Sequence, residues 1–146
     1  MKEFSIDYYI LVTVASMGVF QLAAIRGGLR GLLIFKSPLV TRLVGFGLPL
    51  AAALWFFGAE DRNVSDNLGG LSANEVALKY FVGTVTAWTV TAALSSIVNA
   101  RTHRGGSPAA VGLEALRDTT YFRALSLSLR HWSRKWRAQM KRYFSG

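Results

Sequence analysis

Three stretches of this chain run without a charged side chain for longer than a soluble domain ordinarily allows. Tyr8 to Ile25 gives 18 such residues, Leu43 to Ala59 gives 17 and Tyr80 to Ala100 gives 21. A helix needs about 20 mostly apolar residues to cross the hydrocarbon of a bilayer. The middle run reaches that length if it begins at Pro38 and Arg42 snorkels toward the headgroups. Pro38 suits a first helical turn, where a missing N–H costs nothing. Buried helices of a soluble bundle keep a polar face, and these runs have almost none. The sequence therefore predicts an all-α integral membrane protein. It has three transmembrane helices, at about residues 6–25, 38–59 and 73–100, in a domain over 1–104. A basic tail with a cytoplasmic amphipathic helix follows over 105–146.

The third helix announces its own start. Ser72-Ala73-Asn74-Glu75 fits a capping box, in which Ser72 caps the helix and Glu75 reaches back to the cap N–H. Leu71 and Val76 stand at the staple positions. A helix from Ala73 to Ala100 is roughly 42 Å long and protrudes beyond a hydrocarbon core of about 30 Å.

Direction follows from the flanking charges. The segment before the first run carries a net −1, the first loop and its approach +4, the second loop −2, and the chain from Arg101 onward +8. Positive loops stay cytoplasmic, so the N-terminus is expected outside and the C-terminus inside. Tyr8, Tyr9, Trp55, Phe56, Phe57, Tyr80 and Phe81 fall near the outer boundary, as interfacial aromatic belts do. MKEFSID lacks the basic stretch and cleavage site of a signal peptide, so the first run is expected to be retained. The location expected is a plasma membrane of bacterial or archaeal type.

Several chemistries are disfavoured by what the runs lack. There is no cysteine, hence no disulfide, thiolate metal site or cysteine nucleophile. No ionisable group sits near the centre of a run, and neither His103 nor His131 lies within one. An intramembrane haem on paired histidines and an Asp/Glu/His proton relay are therefore not expected. No catalytic residue, cofactor or metal is expected. The loop from Glu60 to Leu71 alternates oxygen side chains but lacks the glycine that an EF-hand needs, so it reads as a solvated turn. Asn63-Val64-Ser65 is a formal glycosylation triplet and nothing more. "RGGLRG" (Arg26 to Gly31) and "HRGGSP" (His103 to Pro108) match no phosphate loop. Their glycines read as turn residues, and arginines such as Arg26, Arg30, Arg101 and Arg104 as contacts for lipid phosphates.

Small residues at a spacing of four suggest contacts between helices. Ala23, Gly27 and Gly31 recur in this way at the inner end of the first run, Gly47 and Ala51 in the second beside Pro49, and Ala87, Thr91 and Ser95 in the third. Gln21, Trp88 and the threonines from Thr84 to Thr91 are expected to serve bonding between helices.

The tail poses the functional question. Gly105, Gly106, Ser107 and Pro108 form a break, and Asp118 or Thr119 restarts a helix. Phe122, Leu125, Leu129, Trp132, Trp136, Met140 and Tyr143 then recur at steps of three or four, opposite Arg123, Arg130, Arg134, Arg137 and Lys141. From Arg123 to Phe144 there is no acid. A basic face can bind nucleic acid, yet no recognition motif accompanies it and nucleic acid is not an expected partner. Anionic headgroups explain both faces together, and a partner subunit offers the same face a groove. The expected function is that of a non-catalytic membrane subunit that scaffolds, anchors or stabilises a larger complex. Its tail would dock through Arg130, Trp132, Arg134, Trp136 and Met140, with other membrane subunits and anionic lipids as partners. The alternatives are an enzyme handling lipid headgroups, or a membrane-tethered regulator acting through the tail.

Overall fold

The computed structural model describes residues 2–58, 72–100 and 112–144, with side chains for all of these except 2, 3, 138, 139 and 141–144. The described chain is all-helical. Its order is α1 (Lys2–Arg26), a 3-10 turn (Arg30–Leu32), α2 (Pro38–Phe57), α3 (Ala73–Asn99), a second 3-10 turn (Gly112–Arg117) and α4 (Tyr121–Phe144). Phe4–Arg26, Pro38–Phe57 and Ala73–Asn99 are each long and apolar enough to cross a membrane. The expected loop from Glu60 to Leu71, the staple residue Leu71, His103 and the Gly105–Pro108 break lie outside the described residues.

Helix boundaries have local causes. α1 ends where Gly28 takes a left-handed φ of 67°. Gly28 N–H then donates to Ile25 O at 3.3 Å and Leu29 N–H to Ala24 O at 2.9 Å, the bond pair of a Schellman motif. Leu29 packs against the cluster that contains Ala24, which supplies the motif's hydrophobic contact. α2 begins with Pro38 at its first turn, and Thr41 closes the entry by donating to Phe35 O and Ser37 O at 3.2 and 3.0 Å. α3 starts in the capping box read from sequence: Ser72 N–H donates to Glu75 Oε2 at 2.9 Å and Glu75 N–H to Ser72 Oγ at 3.4 Å. α4 starts at Tyr121 rather than at Asp118 or Thr119. Its first bond runs from Ala124 N–H to Thr120 O, because residues 112–117 form the 3-10 turn instead.

α1 is the central helix and touches both α2 and α3. The α1–α2 crossing is tight: a methyl on Gly18 would lie 2.5 Å from Pro49 Cδ and 2.7 Å from Gly45 O, and one on Gly45 2.6 Å from Leu22 Cδ2. Pro49 cannot donate to Gly45 O, so a carbonyl freed of its helical partner faces the bare Cα of Gly18. Such Cα–H···O approaches recur where helices cross closely. Farther along, Phe56 meets Phe4 and Tyr8 at centroid distances of 5.6 and 6.3 Å. The α1–α3 crossing uses Gly83, where a methyl would lie 3.0 Å from Val12 Cγ1, and the Tyr9 hydroxyl donates to Thr86 Oγ1 at 2.9 Å.

Candidate functional site

The end of the bundle that carries Arg26 and Arg42 is where four segments converge, and it is called the basic end below. After α1 the chain does not leave the bundle. Residues 29–34 turn back and are gripped from both sides. Gln21 of α1, 1% exposed, donates from Nε2 to Leu32 O at 3.2 Å and accepts from Ile34 N–H at 3.0 Å. Asn99 of α3 donates from Nδ2 to Leu33 O at 2.7 Å and to Ser95 O at 2.8 Å. These two amides satisfy backbone groups that an apolar setting would otherwise leave without partners.

The tail closes over this segment. Gly31 is buried, and a methyl there would overlap the Thr119 carbonyl and lie 2.9 Å from Leu116 O. Ala24, Leu32, Ala115, Leu116 and Ala124 form one buried cluster, with Leu29, Leu33, Trp88 and Tyr121 packed against it. The cluster thus draws residues from both sides of the boundary expected at 104/105. Trp88 stands edge-on between Phe20 at 5.5 Å and Tyr121 at 5.6 Å, linking α1, α3 and α4. Two cavities border it. One of about 200 Å³ is lined by Phe20, Ala23, Ala24, Leu29, Leu32, Thr91 and Leu113 besides Trp88. The other, of about 220 Å³, lies toward Tyr121, Leu125 and Ser128.

The small residues expected at helix contacts divide into two groups. Ala87, Thr91 and Ser95 are buried on one side of α3, at 0%, 1% and 0% exposure. Ala23, Gly27, Gly47 and Ala51 are exposed, and nothing lies within 4 Å of a methyl placed on Gly47. Gly31 is buried, but not on the helical face of Ala23 and Gly27, because α1 has already ended at Arg26. The crossings inside the chain rest instead on Gly18, Gly45 and Gly83, which the four-residue spacing did not single out. Most of the threonines expected to bond between helices turn back on their own. Thr84, Thr86 and Thr89 donate to Tyr80 O, Val82 O and Val85 O, and among the described residues Thr86 alone of these also accepts from another helix. Trp88 joins helices through ring contacts rather than hydrogen bonds and also borders the two cavities, and Gln21 serves the returning segment.

Among the contact residues expected toward lipid or partner, Arg26 and Arg30 are exposed beside the returning segment. Arg101 and Arg104 lie outside the described residues. Arg130 and Arg134 are exposed along α4, as are Trp132 at 62%, Trp136 at 58% and Met140 at 55%, with Trp132 and Trp136 stacked at 6.4 Å. Glu114 and Arg117 pair at 3.0 Å on the surface of the second 3-10 turn. Among the described residues no group of three or more His, Asp or Glu is placed to hold a metal ion. Comparison with protein-family models, with curated proteins and with solved structures found no match.

Proposed function

We propose that the chain is a non-catalytic subunit of a membrane complex, with its three long helices across the bilayer, its N-terminus outside and its C-terminus cytoplasmic. It scaffolds or anchors partners through α4 and the open faces of its helices. One observation carries this reading. α4 is fastened to the bundle by its first turns, through Tyr121 and Ala124, while Leu129, Trp132, Trp136 and Met140 remain more than half exposed beyond them. An apolar row left uncovered among the described residues, flanked by cations, suits the cytoplasmic interface of a bilayer or the groove of a neighbouring subunit. The charge balance of the loops supports the orientation.

The test uses the full chain. It is purified in mild detergent, with Trp132→Ala/Trp136→Ala and Arg130→Gln/Arg134→Gln variants beside it, and co-migrating chains are identified. Stoichiometric partners that the tryptophan pair loses and the arginine pair keeps indicate a groove. Binding to anionic vesicles that salt weakens, and that both pairs of changes reduce, indicates the lipid surface. A monodisperse monomer without partners that turns over lipid would overturn the reading in favour of a headgroup enzyme.

A further inference from the structure

The cavity walled by Phe20, Ala23, Leu32, Trp88 and Leu113 is apolar except at Thr91. The Thr91 hydroxyl is buried and has no hydrogen-bond partner among the described residues. An ordered water needs two to four polar partners and finds one here, whereas an apolar lining of this kind suits an apolar guest. The cavity is also open at a useful place. Ala23 is exposed, and Arg26 follows it by three residues, Phe20 precedes it by three. At 1.5 Å per residue, the cavity's α1 wall therefore lies roughly 4–9 Å from Arg26 along the helix. That is about the depth of a headgroup layer, the difference between the 30 Å core and the 40–45 Å bilayer shared between two faces. Charge at this end favours an anion. Glu114 is paired with Arg117, and the described residues of this end carry Arg26, Arg30, Lys36 and Arg42 with one further acid, Asp118.

We infer that this cavity holds an acyl chain of an anionic phospholipid of the cytoplasmic leaflet, its phosphate meeting Arg26 and Arg30. The inference rests on the membrane reading above. The lipid would lie against Leu113 of the tail as well as Phe20 and Trp88 of the bundle, so it joins the two parts.

Trp88 is the probe. In the full chain Trp55, Trp132 and Trp136 are changed to Phe, leaving Trp88 as the sole tryptophan. The protein is reconstituted in mixed phosphatidylcholine and phosphatidylglycerol vesicles, with brominated acyl chains on one lipid or the other. Bromine on phosphatidylglycerol should quench Trp88 more strongly than the same fraction on phosphatidylcholine, since each arginine enriches anionic lipid roughly fivefold. Ala23→Phe and Leu113→Phe fill the cavity from opposite walls, both at exposed positions, and each should bring the two lipids to the same weak quenching. Arg26→Gln with Arg30→Gln should erase the preference while leaving quenching by phosphatidylcholine. Equal quenching by both lipids in the parent, or quenching unmoved by both cavity-filling changes, overturns the assignment. A chain that fails to float with carbonate-washed vesicles overturns the membrane reading, and this inference with it. A chain that floats but shows no preference sinks the inference alone.

Discussion

Gly31 lies flat against the backbone of Thr119, with no room between them for a single methyl group. Two segments 88 positions apart in sequence are thereby pressed together at the basic end, one following α1 and the other preceding α4. The absence of a side chain is what seats the tail.

Gly31→Ala should unseat residues 112–124 and leave the helix crossings alone. Overpacking against backbone costs about 1–3 kcal/mol because neither carbonyl can rotate out of the way. Amide hydrogen exchange should rise over 112–124 and stay unchanged around Gly18 and Gly45. Unchanged exchange in the tail would mean that the close approach does not exist.

Two helical glycines, Gly18 of α1 and Gly47 of α2, should respond with opposite sign. Gly18→Ala meets Pro49 and the Gly45 carbonyl and should destabilise by about 1–3 kcal/mol. Gly47→Ala meets nothing and removes the entropy cost of a helical glycine, so it should be neutral or stabilise by up to about 1 kcal/mol. Unfolding in detergent titrated with dodecyl sulfate measures both. Gly47→Leu belongs in the same series: loss of co-purifying chains without loss of stability would place a partner on that face.

The two amides that grip the returning segment should act as one device. Gln21→Leu strands Leu32 O and Ile34 N–H, and Asn99→Leu strands Leu33 O, at about 1–3 kcal/mol for each loss of this kind. Once either is gone the segment is partly free, so the double variant should cost less than the sum by about 0.5–3 kcal/mol. Additivity within about 0.5 kcal/mol would show two independent contacts.

Trp88→Leu removes edge contacts to both Phe20 and Tyr121, each worth about 0.5–1.5 kcal/mol beyond burial. The change should loosen the tail as well as the α1–α3 contact. Protease cleavage at exposed Arg117 and Arg130 should accelerate together. Faster cleavage at Arg130 alone would detach the tryptophan from any role in seating the second 3-10 turn.

What could be read from the sequence follows from which forces leave a linear trace. The three long helices, the Ser72–Glu75 box and the Pro38 start depend on neighbours within a few residues, and each was visible there. Which side of a helix turns inward was not. A run such as Tyr80 to Ala100 carries no charge on any side, so charge patterning cannot distinguish a contact face from an open one. Spacing of small residues therefore picked out Gly47 and Ala51, which stand open, and passed over Gly18 and Gly45, which touch. The better signal was polarity. Gln21 stands out in the sequence without showing its role, and Asn99 is a lone amide at the end of an uncharged run. Buried amides of that kind mark inward faces because lipid offers them no partner. The Gly31–Thr119 approach left no local mark, since it joins segments far apart in the chain.

The bond from Asn99 to Leu33 spans 66 positions, and that gives it a place in time. A ribosome adding about 5–20 residues per second needs roughly 3–13 seconds to travel that distance. Through that interval α1 is already complete and α2 is added, Gln21 can hold its side of the returning segment, and the Leu33 carbonyl waits for a donor not yet synthesised. The grip on the returning segment is therefore completed only when α3 arrives, before the tail can close over it. A chain halted before α3 should be cut by protease within residues 29–36, where the finished protein resists, so the same bond that secures the fold also records that the third helix has arrived.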